Sequence, residues 1–519
     1  MKKKIFGDIF GGAISLTVSA LLVKILGVIY KVPLSYVLTD VGMGYFNTAY
    51  TVYGFFYVLS TAGVPKAITC IISEAESKGR DGYDIYKISL RFFTIIGSII
   101  TVAYMIFSPL ITKIISNSAA LYTMLLIGPS ILFVSTGGVC RGFLCAKGRL
   151  LPVAISQLIE AVCKLILGLS FALLARHLKL GLSVISAWAV LGITLGSLLG
   201  TLYMVIISKN EKNGQNAGQK NEVDRKELYK NILKIAAPIT LSSSVLTIGG
   251  LIDMTVIMRC LEALGYSEES ANEIYGNYTT LAVPMVNLVI SLVTPLTVYL
   301  LPILIKARTS GNINEVRKST ERICALSMLF VCPCVVAFGL YGFDILDVLF
   351  TTVQAAKGYK LLIILSVGTL FLAALNLLNT VQEAYGRFNY PIITLSIGVV
   401  VKLIFEPLLV LYTPAGILGV PISTVLSYML ATFLSFILLP KENRKIPLFK
   451  YIFIGLCLSV LCLGLPYFTV FGSGIFGQNA ISLIAMLTVG FAVYFVLVVL
   501  LMWLIRYLQR VKMNKKINV

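Results

Sequence analysis

This chain of 519 residues is short of charge, and the charge it has is lopsided. Charged residues make up 13% of it, 23 acidic against 43 Lys and Arg, while hydrophobic residues make up 58%. A soluble domain carries about a quarter charged residues, so the composition excludes a water-facing fold. Histidine is nearly missing: His177 stands alone in a predicted loop and reads as solvated. No glycine loop ending in Lys-Ser or Lys-Thr is present, which argues against ATP hydrolysis. There is no catalytic triad, no pair of carboxylates in a soluble domain and no room for one, so the reading is a non-enzyme without cofactor. The ten cysteines lie mostly in or beside apolar runs, where they read as small buried hydrophobes. Cys332-Pro333-Cys334 lacks the two-residue spacer of a redox motif, and metal-ligand spacings are absent.

What fills the chain instead is hydrocarbon, with a mean hydropathy of +0.91. Runs of about 20 apolar residues span a bilayer as helix, and about fourteen recur, at 9–31, 43–65, 88–112, 119–140, 152–175, 182–207, 232–257, 277–302, 323–348, 360–381, 391–412, 416–439, 450–470 and 480–506. Backbone groups in lipid must satisfy one another, so these are helices. Transmembrane strands would alternate in hydropathy, and these runs do not. The expected fold class is all-α, a polytopic membrane protein.

The net charge of +20 follows from topology. Three of the 43 cations fall inside predicted spans, 33 on one side of the membrane and seven (Lys31, Lys113, Arg176, Lys179, Arg259, Lys357 and Lys360) on the other. Cationic loops stay cytoplasmic, which predicts both termini in the cytoplasm and an even number of spans. Nucleic acid is not needed to explain the charge. Met1-Lys2-Lys3-Lys4 precedes an apolar run too long for a signal peptide, and it reads as an uncleaved first helix.

The polar stretch 209–230 predicts a cytoplasmic linker between an N-lobe (1–208, helices 1–6) and a C-lobe (231–440, helices 7–12). The lobes resemble each other. Gly148-Arg149, Pro152 and Lys164 match Gly386-Arg387, Pro391 and Lys402; Lys78-Gly79, Lys87 and Arg91 match Ser310-Gly311, Lys318 and Arg322; Ser60 to Pro65 resembles Ser291 to Pro295. Repeats of six helices share an orientation, so their pseudo-symmetry axis runs along the membrane normal. Residues 441–519 are then an accessory pair, helices 13 and 14, with a cytoplasmic tail. Gly63-Val64-Pro65, Gly128-Pro129, Thr294-Pro295 and Pro333 mark expected bends.

Lys24, Lys164 and Lys402 are the three intramembrane cations. Each would cost about 2.5–3.5 kcal/mol at the bilayer centre, so they are expected to face a hydrated cavity or an anion. Gln157, Glu160 and Lys164 fall on one helical face, and Glu160 and Lys164 form an i,i+4 pair. Lys402 and Glu406 repeat the pairing in reverse order. Either each Lys is neutralised by its own Glu and glues helices together, or the pairs line a cavity where a substrate anion competes. Lys24 has no acidic neighbour one turn away, and Lys31, two turns on, is a further candidate. Asp253 and Asn287 are supporting polar groups within later spans. Asn277-Tyr278-Thr279 is formally a glycosylation sequon, read as incidental.

Leu22-Val23-Lys24-Ile25-Leu26-Gly27 resembles the first-helix Arg-x-Leu-Gly signature of the lipid II and oligosaccharide flippases, in the multidrug/oligosaccharidyl-lipid/polysaccharide exporter superfamily. Ser60-Thr61-Ala62-Gly63-Val64-Pro65 with Glu74-Ala75 is similar to their second-helix exit. Arg141-Gly142-Phe143, Gly148, Pro152, Ser156-Gln157, Glu160 and Lys164 resemble a third conserved block of that family. The branch it looks most like is the stage V sporulation protein B type. The resemblance implies a fourteen-helix transporter of the cytoplasmic membrane that flips an undecaprenyl-diphosphate-linked wall or spore-cortex precursor by alternating access. It implies a cationic cavity (Lys24, Lys31, Lys164, Lys402) for the diphosphate, a groove at helices 13 and 14 for the lipid tail, and other cell-wall synthesis proteins as partners. Two positions depart from the family: Lys24 replaces an arginine and so lacks its bidentate fork, and Tyr30 stands where lipid II flippases carry a second arginine. A cation-coupled drug exporter of the same superfamily, or a sporulation membrane scaffold, are the alternatives.

Overall fold

The computed structural model describes residues 2–77, 82–211, 225–387, 389–440, 443–444, 447–467 and 480–517, and among these no strand occurs. The helices are α1 (Lys2–Thr61), α2 (Val64–Ser77), α3 (Gly82–Ile115), α4 (Leu121–Ile127), α5 (Ser130–Ala146), α6 (Leu150–His177), α7 (Leu182–Asn210) and α8 (Arg225–Ala263). There follow α9 (Glu268–Asn277), α10 (Val283–Thr309), α11 (Ile313–Leu349), α12 (Thr352–Ala384), α13 (Asn389–Tyr412), α14 (Gly419–Ile437), α15 (Leu448–Ser459) and α16 (Ala480–Ile517). All fourteen predicted runs fall on helices over their described residues. Twelve stretches among the described residues are long and apolar enough to cross a membrane; the first carries two of the predicted runs, and the shorter Leu448–Gly464 matches the thirteenth. The chain is a multi-pass membrane protein.

The first two runs were expected as separate helices, and α1 is two helical limbs that meet at a non-helical residue, Thr39 (φ 61°, ψ 177°). No turn residue forces the break. A β-branched residue held at positive φ costs about 1–3 kcal/mol, and packing on both sides of the kink must hold it there. Two of the Gly-Pro sites do interrupt helices: Gly63-Val64-Pro65 lies where α1 gives way to α2, and Gly128-Pro129 divides α4 from α5. Pro295 and Pro333 remain inside α10 and α11. A π-turn at Tyr278–Ala282, which the sequence did not signal, joins α9 to α10.

The repeat junctions share one geometry. Gly148 and Gly386 adopt φ of +72° and +73°, a left-handed conformation that glycine enters without a Cβ penalty. The next amide returns to a carbonyl five residues back in both, Arg149 to Leu144 at 2.8 Å and Arg387 to Gln382 at 2.9 Å. Gly311 at +71° does the same through Asn312 and Ala307; its match, Gly79, lies outside the described residues. This is a glycine-dependent helix C-cap, and Gly265 at +85° makes it again through Tyr266 and Leu261.

The chain divides into two compact units, residues 1–280 with 399–420, and residues 281–398 with 421–519. The first reaches beyond 1–208 because α8 and α9 pack on α1 and its neighbours. Within it the Gly63 amide donates to Thr240 Oγ1 (3.2 Å), Asn117 Nδ2 to Asn272 Oδ1 (2.6 Å) and Asn277 Nδ2 to Asp40 Oδ2 (3.3 Å). Asn277, 6% exposed, is thus a packing residue rather than a glycan acceptor. Most of the expected linker, 212–224, lies outside the described residues. In the second unit α10, α11 and α12 share an apolar core with Leu448 of α15. Tyr341 of α11 donates to the Leu463 carbonyl at 3.0 Å, tying in the last helices.

Candidate anion-binding site

In the first unit the two limbs of α1 diverge from the kink, and α5, α6 and α7 close the space beside them around a cavity of about 510 Å³. Ligand pockets run from about 300 to 1,000 Å³. The first limb contributes Lys24 and Gly27, and the second Tyr50, Tyr53, Gly54 and Tyr57. Arg141 enters from α5, Gln157, Glu160 and Lys164 from α6, and Ser197 from α7. The i, i+3, i+7 spacing that put Gln157, Glu160 and Lys164 on one face delivers all three to this wall. Tyr50, Tyr53 and Tyr57 obey the same spacing and form the opposite wall, a signal present in the sequence that composition alone does not raise.

The charges pair differently from the sequence expectation. Glu160 accepts from Arg141 Nη2 at 2.7 Å, with the two side chains 22% and 13% exposed, and no Glu160–Lys164 pair forms. The i,i+4 rule finds partners along one helix, whereas α5 brings in a guanidinium whose planar fork suits a carboxylate better than an ammonium does. Tyr57 lines the same cavity as this pair. Lys164 lies instead between two rings, its Nζ 5.1 Å from the centroid of Tyr30 and 4.6 Å from that of Tyr50. Tyr30 is fixed in turn by its hydroxyl, which donates to the Ala189 carbonyl at 3.2 Å. Among the described residues no carboxylate pairs with Lys24 or Lys164. Arg141, counted from the sequence as a cation at the membrane face, is the cavity residue that reading missed.

The remaining candidates are placed elsewhere. Lys402 is not in this lining: it forms an ion pair with Asp253 of α8, and Glu406 is the more distant partner at 3.7 Å. The expected Lys402–Glu406 couple is therefore a triad, and Asp253 is its principal carboxylate. Lys31 donates to Asn47 Oδ1 and to the Thr279 carbonyl, both at 3.0 Å, while Asn47 Nδ2 reaches Thr280 Oγ1 at 2.9 Å. It ties the two limbs of α1 to the π-turn. Asn287 is exposed on α10 in the second unit. Among the described residues no group of His, Cys, Asp and Glu is arranged to hold a metal.

A cationic, aromatic-walled cavity inside a bundle of this many apolar helices defines a polytopic membrane protein with a candidate anion site. A family model described as "Polysaccharide biosynthesis protein" matches residues 9–308, and the chain belongs to that family. It is 21% identical over 451 residues to the lipid II flippase MurJ of Bacillus subtilis (strain 168), covering 83% of this chain and 82% of that protein. To the stage V sporulation protein B of the same organism it is 22% identical over 428 residues, covering 82% of each. Among solved structures, the inward closed conformation of lipid II flippase MurJ superposes with a TM-score of 0.70 at 17% identity, over 93% of this chain and 97% of that one. The family resemblance carried by Lys24–Gly27 and by the Arg141–Lys164 block therefore holds.

Proposed function

We propose that this protein flips an anionic, lipid-linked saccharide precursor, an undecaprenyl-diphosphate-linked unit of peptidoglycan or spore cortex, across the cytoplasmic membrane. The observation that carries this reading is the cavity: three cations, two of them ammonium groups with no acidic partner, against one carboxylate, all within apolar spans. Charged residues at such depth mark substrate pathways. Lys24, Lys164 and Arg141 would meet the diphosphate, and Gln157 and Ser197 its polar rim. Lys402, Asp253 and Glu406 would brace the fold beside it. The named functions of the relatives point the same way, and the distribution of cations supports cytoplasmic termini. A cation-exporting site would be lined by unpaired carboxylates, and here the one carboxylate is already engaged. The test is depletion in the native cell. Lipid-linked precursor is expected to accumulate on the cytoplasmic leaflet, and to be cleared by wild type but not by a normally abundant Lys164→Met variant. Clearance by that variant would overturn the assignment.

A further inference from the structure

A cavity lined by cations inside a membrane faces an immediate competitor. The surrounding bilayer is rich in phosphodiester headgroups, each with one negative charge, while the proposed substrate carries a diphosphate esterified at both ends, with two. Any preference must come from the cavity itself.

Glu160 has the geometry to supply it. Its carboxylate occupies the Arg141 guanidinium at 2.7 Å, so the strongest anion-binding group of the cavity is already taken by an internal anion. The occupation is incomplete, because Arg141 Nε is buried and makes no hydrogen bond. A buried donor left in this way favours any arrangement that fills it. The carboxylate also has a berth. A Cβ at position 200 would lie 2.8 Å from Glu160 Cγ and 3.1 Å from its Oε1, so the side chain rests on α7 only because residue 200 is glycine. Lys164, one turn along the same helix, is held by Tyr30 and Tyr50 and not by this carboxylate. With Glu160 engaged, three cations against one carboxylate leave two positive charges, which match a doubly esterified diphosphate.

We infer that Glu160 is a specificity-determining residue, an internal anion on Arg141 that a diphosphate diester displaces and a single phosphodiester does not. A phosphodiester can neutralise Lys24 or Lys164 but brings no second charge to win the guanidinium. A diphosphate reaches the ammonium groups with one phosphate and Arg141 with the other, and it fills Nε as well. The inference rests on the proposed function, since it assumes that the cavity takes a diphosphate lipid.

The experiment uses the full chain in phosphatidylcholine nanodiscs, with farnesyl-diphosphoryl-N-acetylglucosamine as probe and phosphatidylglycerol as competing phosphodiester. Wild type is expected to bind the probe with a Kd that added phosphatidylglycerol leaves nearly unchanged. In Glu160→Gln the same addition should raise the apparent Kd about tenfold or more, the scale of one charge-assisted hydrogen bond. Glu160→Met removes the same carboxylate without leaving an amide, and covers the case in which the Gln variant does not fold. A folded variant as indifferent to phosphatidylglycerol as wild type overturns the inference and leaves the proposed function standing. Wild type that binds the probe no better than uncharged farnesyl glucoside overturns both.

Discussion

Gly54 offers the cleanest physical probe of the cavity. It stands mid-helix in the second limb of α1, lines the cavity, and a Cβ built on it meets nothing within 4 Å. A side chain added there grows into empty space rather than into protein. Leucine brings four carbon atoms, and at about 25–30 Å³ for each heavy atom, close to a water's share of liquid volume, that is roughly 110 Å³. About a fifth of the 510 Å³ would be lost, and the part lost lies beside the tyrosine wall. The same change replaces a glycine in a helix interior with a strong helix former, worth about 0.5–1 kcal/mol of stability. Two observables are thus driven in opposite directions. Gly54→Leu should melt at or above the wild-type temperature in detergent, and its transport of lipid-linked precursor in proteoliposomes should fall about tenfold or more. Gly54→Ala, one carbon added, should show the stability gain with a much smaller loss. Wild-type transport by the folded leucine variant would mean that no substrate passes through this space.

Lys402→Met should destabilise the protein by about 3–5 kcal/mol, because it strips the ammonium from half-buried Asp253 and from buried Glu406, while leaving diphosphate binding within about twofold; denaturation and probe-binding curves read the two effects separately. Lys164→Met should show the reverse pattern, near-wild-type melting with loss of probe binding. Tyr50→Leu removes one wall of the Lys164 cage, a contact worth about 0.5–2 kcal/mol, and should weaken probe affinity by about two- to thirtyfold, whereas Tyr50→Phe, which keeps the ring, should not. Lys31→Met leaves the Asn47 amide oxygen and the Thr279 carbonyl short of a donor. It should cost about 1–3 kcal/mol and speed hydrogen exchange at the π-turn.

The helices were legible because lipid leaves the chain no alternative: a run of twenty apolar residues in hydrocarbon has one way to satisfy its backbone. Half of the cavity was legible for a related reason. Residues 157, 160 and 164 share a face by helical period alone, and a lysine with no acidic neighbour, such as Lys24, declares itself unpaired along its own helix. What pattern could not supply was the partner across helices. Glu160 looked local to Lys164 and belongs to Arg141 nineteen positions earlier; Lys402 looked local to Glu406 and belongs first to Asp253. Arg141 was hidden for another reason, since an arginine at the edge of an apolar run reads as a topology signal. Tyr50, Tyr53 and Tyr57 were in plain view, at the spacing already used for α6, but aromatic residues in a membrane span are ordinary and the wall appears only once Lys164 is seen against it. Nothing in the sequence marks Thr39, because the kink lies in φ of a residue that does not favour it.

The lysines, alike in sequence, end in different chemistry, and the difference decides which of them serves a ligand. Lys402 is neutralised by carboxylates, so its field is cancelled where it arises. Lys31 is bonded to a carbonyl and an amide oxygen, which satisfy its donors and fix it in place. Lys164 is held by ring faces. A ring quadrupole attracts an ammonium and restrains it, yet carries no net charge, so the positive field of Lys164 survives into the cavity. A purely structural lysine gains nothing from such an environment, because a carboxylate would stabilise it better, and Glu160 stands one turn away pointing at Arg141 instead. The arrangement makes sense only if the missing negative charge arrives from outside. The uncharged farnesyl glucoside should therefore bind the wild-type cavity far more weakly than the diphosphate probe, and should be indifferent to Lys164→Met. Equal affinities for the two would show that the rings, and not the ammonium they hold, are what the ligand comes for.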